Sequence, residues 1–277
     1  MKERMIDTAA LFRPLHDELV RLLEVLSPED WLRPTVAGQW RVRDNVAHLI
    51  DTDLRRVSAQ RDGHQGPPPT NPIESFDQLV TYLNELNREW IRASERLSAR
   101  VLLELVMQSG RMCAEVLESV DPMSCAIFPV AWAGEAESLG WMDVGRDYTE
   151  KWHHQQQIRD AIGAPLLLEE RWTRPLFELS VKALPRAYTS VSAAAGTSVQ
   201  LVIDGPGGGS WLLTRSRSRW ELRDGTAEGA DTVVHLSADH AWRLFYNALS
   251  AEQRSQIRVV GDVRWAEPLL RARSVMV

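Results

Sequence analysis

The sequence predicts an all-α N-terminal half followed by a small α+β domain. Three observations carry this. Apolar residues recur at three-to-four spacing through most of the first 165 positions. Gly163 and Pro165 then close the last helical stretch. Beyond them, short runs rich in Val, Leu and Trp flank a glycine-rich turn. At 277 residues the chain is long for one compact core and suits two domains, here 1–165 and 166–277.

The first helix is expected from about Ile6 to Leu26, on Ala9, Leu11, Phe12, Leu15, Leu19, Leu22, Leu23 and Leu26, with Ser27-Pro28 as its stop. A second should run from near Trp40 to Arg61, where Asp62-Gly63 ends it. Pro67, Pro68, Pro69 and Pro72 mark an exposed connection to a third, from about Ile73 to Ser98. A fourth is expected over Val101–Leu117, broken by Asp121-Pro122. Residues 123–140 show no clean period and read as a loop or short helices near the mouth of the helical half. The last helix should span Trp141–Ile162, with Gly163 as its C-cap. In the second domain, Val199–Ile203 and Ser210–Thr214 read as a hairpin around Asp204-Gly205-Pro206-Gly207-Gly208-Gly209. Strand pattern continues at Arg219–Leu222 and Thr232–Leu236, and helices are expected at Asp239–Leu249 and Pro268–Arg273, on either side of Ile257–Val260.

Composition excludes several function classes. Hydrophobic residues make up 44 % and charged residues 25 %, as in ordinary globular proteins, and no apolar run approaches a membrane span. Met1-Lys2-Glu3-Arg4 opens no signal-like apolar region, so the chain is expected in the cytoplasm, away from membranes. A net charge of -6 argues against a grip on nucleic acid. Lysine occurs only at Lys2, Lys151 and Lys182, which leaves little for Schiff-base chemistry. Cys113 and Cys125 form no C-x-x-C and are expected as buried, inert thiols. A catalytic thiol would then come from outside the chain. Gly207-Gly208-Gly209 lacks the helix and Lys-Ser or Lys-Thr of a phosphate cradle, and no G-x-S-x-G elbow is present. The tryptophans of the helical half, Trp31, Trp40, Trp90, Trp132, Trp141 and Trp152, are expected to serve packing, with room for one or two near the mouth to line a substrate pocket.

The most informative residues are His48, Glu150 and His154. Four residues on a helix bring a side chain back to nearly the same face, so Glu150 and His154 can aim at one point while His48 arrives from another helix. Two imidazoles and a carboxylate leave a divalent ion with open positions, as in catalytic sites. Asp147 shares their stripe, at i, i+3 and i+7. Asp44, Asp51, Thr52 and Arg55 fall near the face of His48, and these stripes could equally be solvated outer faces. His16, His64, His153, His235 and His240 fit no ligand spacing with the three, and His153, about 100° round from His154, should point elsewhere.

Trp31, Pro34-Thr35, Gly38-Gln39-Trp40 and Val42-Arg43-Asp44 precede His48, and Ile158-Arg159-Asp160-Ala161 follows His154. On these motifs the chain resembles the DinB-like metalloenzyme superfamily, in the branch that includes mycothiol-dependent maleylpyruvate isomerase. The resemblance implies a DinB-like four-helix bundle over residues 5 to 165, with a divalent metal on His48, Glu150 and His154: zinc foremost, with nickel, iron or manganese compatible. It also implies a low-molecular-weight thiol such as mycothiol as cofactor, and an isomerase or S-transferase acting on a small unsaturated carboxylate. Asp231–Leu236, Trp242-Arg243-Leu244 and Gly261-Asp262 resemble the sterol-carrier-like C-terminal domain of that branch. One departure is Arg41, where Ser or Thr commonly caps the helix. Arg215, Arg219 and Arg223 are candidates, by composition, for holding substrate carboxylates. Two other readings stay open: a metal-dependent hydrolase on the same bundle, and a non-enzymatic binding or regulatory protein whose second domain holds an apolar ligand. The expected partners are the small-molecule substrate and the thiol, with the chain a monomer or homodimer.

Overall fold

The computed structural model describes residues 4–276; Met1–Glu3, with Lys2, and Val277 lie outside the described residues. The chain forms two compact units. One contains the residues up to Pro129 together with Glu137–Leu166, the other Val130–Ala136 together with Leu167–Met276.

The first unit is helical: α1 (Phe12–Glu24), α2 (Val42–Asp62), α3 (Phe76–Ser94), α4 (Ala99–Glu118) and α5 (Gly140–Ile162). Helix α4 packs on α1 and α2, and α5 packs on the same two, which closes a ring of four; α3 rides outside on α2. Leu19, Leu23, Val42, Val46, Leu49, Ile50, Leu102, Val106 and Ile158 fill one core of the ring. Each such side chain contributes about 2 kcal/mol when fully buried. The indole of Trp90 ties α3 to α2 by donating to the Ala47 carbonyl at 2.7 Å.

Helix ends follow local chemistry. The predicted start at Ile6 is replaced by a 3-10 turn at Ala9–Leu11, and α1 begins at Phe12. Trp40 does not open α2, because Pro34 and Arg41 pair as a β-bridge and Arg41 is extended. The capping function missing at Arg41 is supplied by Asp44, whose carboxylate accepts the Arg41 backbone N–H at 2.9 Å and its guanidinium Nε at 2.9 Å. Ser98 does not extend α3; its hydroxyl accepts the Val101 N–H and caps α4. Gly163 ends α5 in the left-handed region at φ 70°, as its position suggested. The loop after α4 is pinched by a Cys125–Leu139 bridge, and its segment Val130–Ala136, with Trp132, belongs to the second unit rather than to the bundle mouth.

The second unit begins with two helices that the sequence pattern did not reveal, α6 (Glu170–Ser180) and α7 (Leu184–Ala187). Pro175 sits inside α6 and masks a run in which Trp172, Leu176 and Leu179 are buried at i, i+4 and i+7. Strands β1 (Ser198–Asp204), β2 (Gly209–Arg215), β3 (Trp220–Asp224), β4 (Thr232–Ser237) and β5 (Arg258–Gly261) form one mixed sheet in the order β3-β2-β1-β4-β5. Among the described residues, β1 pairs with β4 in parallel and the other pairs are antiparallel. The glycine run closes the β1–β2 hairpin, and a Cβ at Gly208 would meet the Ile203 carbonyl oxygen at 2.1 Å. Helix α8 (Ala238–Phe245) starts on the Ser237 cap and stops short of Leu249. After α9 (Ala251–Ser255), α10 (Val263–Arg271) begins five residues before Pro268, because Asp262 caps it. The result is a helical region followed by a mixed five-stranded sheet with helices. Among the described residues no helix is long and apolar enough to cross a membrane.

Candidate metal centre

A run of polar side chains lines the seam between α2 and α5. From α2 it receives Asn45, His48, Asp53 and Arg56, and from α5 Gln157, His154, Lys151, Glu150, Asp147 and Asp143. All except Lys151, Glu150 and Asp147 are buried. Unpaired polar groups in such a place would cost several kcal/mol each, so their partners decide what the seam does.

At one level His48, Glu150 and His154 converge, with one ligand atom from each lying within 4.8 Å of the others. Glu150 Oε1 is 2.8 Å from His48 Nε2 and 3.2 Å from His154 Nε2, so one carboxylate oxygen meets both rings. Burial lowers the basicity of His48 and so favours the neutral ring that can act as a ligand. Burial would raise the Glu150 carboxyl, but the imidazoles outweigh it and hold the group well below the usual range, as a carboxylate. The Glu150 side chain remains 29 % exposed, which leaves the cluster a route to solvent. The donor chemistry, two ring nitrogens and a carboxylate converging on one point, fits a divalent cation.

The surroundings of the two rings differ. His154 Nδ1 lies 2.9 Å from Asn45 Oδ1 and 2.7 Å from Gln157 Oε1, whereas His48 Nδ1 is buried with no hydrogen-bond partner among the described residues. Trp40, half-buried, covers both: its ring centroid is 4.9 Å from that of His48 and 5.7 Å from that of His154. The expected packing role for Trp40 is therefore too narrow. His153 does not point away either; its ring lies 4.0 Å from that of His154, centroid to centroid, while its Nδ1 donates to the Thr149 carbonyl at 2.9 Å. Burial pushes its pKa down to about 3, so it stays neutral.

The profile of the mycothiol maleylpyruvate isomerase N-terminal domain matches residues 12–159, more than half of the chain. The chain belongs to this family. Two crystal structures of mycothiol-dependent maleylpyruvate isomerase, one of them a histidine-to-alanine mutant, share the fold at TM-score 0.54 and 14 % identity over 91 % of this chain and 90 % of theirs. Two uncharacterized proteins of Mycobacterium tuberculosis, from two strains, are 25 % identical over 201 residues, 70 % of this chain and 72 % of each.

Within this member of the isomerase family, several sequence-predicted residues find other partners. Asp147 shares the stripe of Glu150 and His154, yet its carboxylate is bound to Arg56, which is also gripped by Asp143 at 2.9 Å. A cation for that part of the stripe is thus supplied by the chain itself. Asp44 is spent on Arg41, Asp51 pairs with Arg55 at 3.1 Å, and Thr52 donates to the Leu49 carbonyl at 3.0 Å. Arg159 closes the end of α5, donating to the Pro165 carbonyl at 2.9 Å and meeting Glu18 at 3.3 Å. Cys113 is buried as expected, but Cys125 is exposed, because it lies on the pinched loop and not in a helix. Arg215 is half-buried at the end of β2, Arg219 is exposed and paired with Glu221 at 3.1 Å, and Arg223 is exposed on β3. Asn45, Gln157 and Trp40 were missed as neighbours of the centre. Asn45 and Gln157 stand three residues from His48 and His154, the one signal that could have found them.

Proposed function

We propose that His48, Glu150 and His154 hold one divalent metal ion, zinc foremost, and that the protein is a metal-dependent isomerase or S-transferase using a low-molecular-weight thiol such as mycothiol. The observation that carries this reading is the convergence of three donors on one partly accessible point in a chain of the isomerase family. When bound, such an ion supplies the Lewis acidity that turns a thiol into an anionic nucleophile near neutral pH.

The chain's own residues do the rest. Glu150 is held anionic and the rings of His48 and His153 neutral, which suits ligation rather than acid catalysis. Trp40 shields the two imidazoles from water on one side. The buried Cys113 thiol does not compete with the external one, since burial pushes it well above its ordinary value. The substrate class is a small molecule with an activated double bond beside a carboxylate, to which the thiol adds; rotation and loss of the thiol give isomerisation, and retention gives transfer.

The test is elemental analysis of the parent beside His48→Ala and His154→Ala at matched circular dichroism, followed by turnover of an unsaturated dicarboxylate with and without thiol. About one metal per chain, lost in both variants, and turnover that needs the thiol are expected. A parent purified with metal on offer yet carrying none defeats the metal reading, while turnover that does not need the thiol defeats the thiol reading.

A further inference from the structure

We infer that Thr35 and Asn45 form a positioning relay that fixes which ring nitrogen of His154 faces the centre. The inference deepens the metal reading above and rests on it for its consequence.

The donors and acceptors place a proton on His154 Nδ1. Thr35 Oγ1 lies 2.8 Å from the carbonyl oxygen of Trp40, which only accepts, so the hydroxyl proton goes there. The hydroxyl oxygen must then accept from its other neighbours, the Ala37 N–H at 3.2 Å and Asn45 Nδ2 at 3.0 Å. With its NH2 group on Thr35, the Asn45 amide turns its carbonyl oxygen to the other side, 2.9 Å from His154 Nδ1. That oxygen only accepts, so Nδ1 carries the proton, which Gln157 Oε1 shares at 2.7 Å. The nitrogen left for the centre is Nε2, which faces the carboxylate of Glu150 at 3.2 Å. A metal ion at that point would be met by a ring already turned to receive it.

The relay is protected and coupled. Asn45 is 0 % and Thr35 9 % exposed, so little water competes for either side chain. Thr35 and Trp40 stand at opposite ends of one small loop, closed by the Thr35 N–H on the Trp40 carbonyl at 2.8 Å and turned at Gly38 with φ 64°. The loop that lays an indole over the two imidazoles therefore also sets the Asn45 amide. His48 has no counterpart, since its Nδ1 finds no partner among the described residues. The two histidines are held unequally, and His154 is the pre-oriented ligand.

The test uses the full chain and four variants: Thr35→Val, Thr35→Ser, Asn45→Leu, and Asn45→Leu combined with Gln157→Leu. Zinc affinity is read by competition with a chromophoric chelator, and the position of the His154 proton by imidazole 15N NMR on metal-free protein. The parent should show its proton on Nδ1. The double variant should lose roughly 10- to 100-fold in zinc affinity and release the proton from Nδ1. Thr35→Val should weaken zinc binding less, with Thr35→Ser restoring the parent's value. A folded double variant with parental affinity and an unmoved proton overturns the relay, as does a Thr35→Val variant identical to the parent in both readouts. A parent that takes up no zinc sinks the metal reading by itself, and the NMR arm then still decides the relay.

Discussion

Arg56 Nε and Asp147 Oδ2 lie 2.6 Å apart across the seam between α2 and α5. Asp143 grips the same guanidinium with both oxygens at 2.9 Å, and Arg146 leans on the two carboxylates from outside. Burial alone would lower the Arg56 pKa, yet the two aspartates raise it, so the cluster is a fully charged clamp beside the candidate centre. Replacing Arg56 with Met leaves two carboxylates facing each other in the interior. A loss of about 3–5 kcal/mol in urea unfolding is expected, and a loss below about 1 kcal/mol would place the cluster among surface-like ion pairs.

The same clamp makes stability depend on acid. Burial would raise the Asp147 carboxyl, but Arg56 and Arg146 outweigh it and hold the group below the usual carboxylate range. The unfolded chain therefore takes up this proton more readily than the folded one. The stability contributed by Asp147 is complete above its unfolded value, about pH 4, and is lost as the pH falls through that value towards the lower native one. Melting temperature should drop more steeply between about pH 5 and pH 3 in the parent than in Asp147→Asn. Equal slopes would mean that Asp147 has no part in the acid transition.

One turn further along, Lys151 donates to Asp53, which also accepts the Ser109 hydroxyl at 3.1 Å. Asp53 is 1 % exposed, so Lys151→Met strands a buried carboxylate and should cost about 3–5 kcal/mol. Adding Asp53→Leu removes the stranded charge and should return most of that loss. Simple addition of the two single effects in the double-mutant cycle would show that the groups are not coupled.

Trp40 offers a test of shielding. Because its ring covers both imidazoles, Trp40→Ala should open them to water and speed metal loss to a chelator by about tenfold. Trp40→Phe, which keeps an aromatic face, should fall between. Release rates unchanged in both variants would assign the indole to packing alone.

What the sequence by itself determined is what local geometry dictates. Glu150 and His154 share a face because four residues make about one helical turn, and Gly163 ends α5 because glycine accepts a left-handed backbone. The hairpin at Gly207–Gly209 and the end of α2 at Gly63 were legible for the same reason. Only the tertiary structure decided which polar groups meet across the seam. Asp147 follows the same period as Glu150, but its partner, Arg56, stands 91 positions earlier, and no spacing rule links the two. Helix α6 was hidden because the burial of Trp172, Leu176 and Leu179 offsets what Pro175 costs. Trp40 reads as a packing residue until the Pro34–Arg41 bridge folds it over His48 and His154. Helical periodicity is set within a turn of chain, whereas hydrogen-bond partners and burial are set by elements that meet only once the bundle has closed.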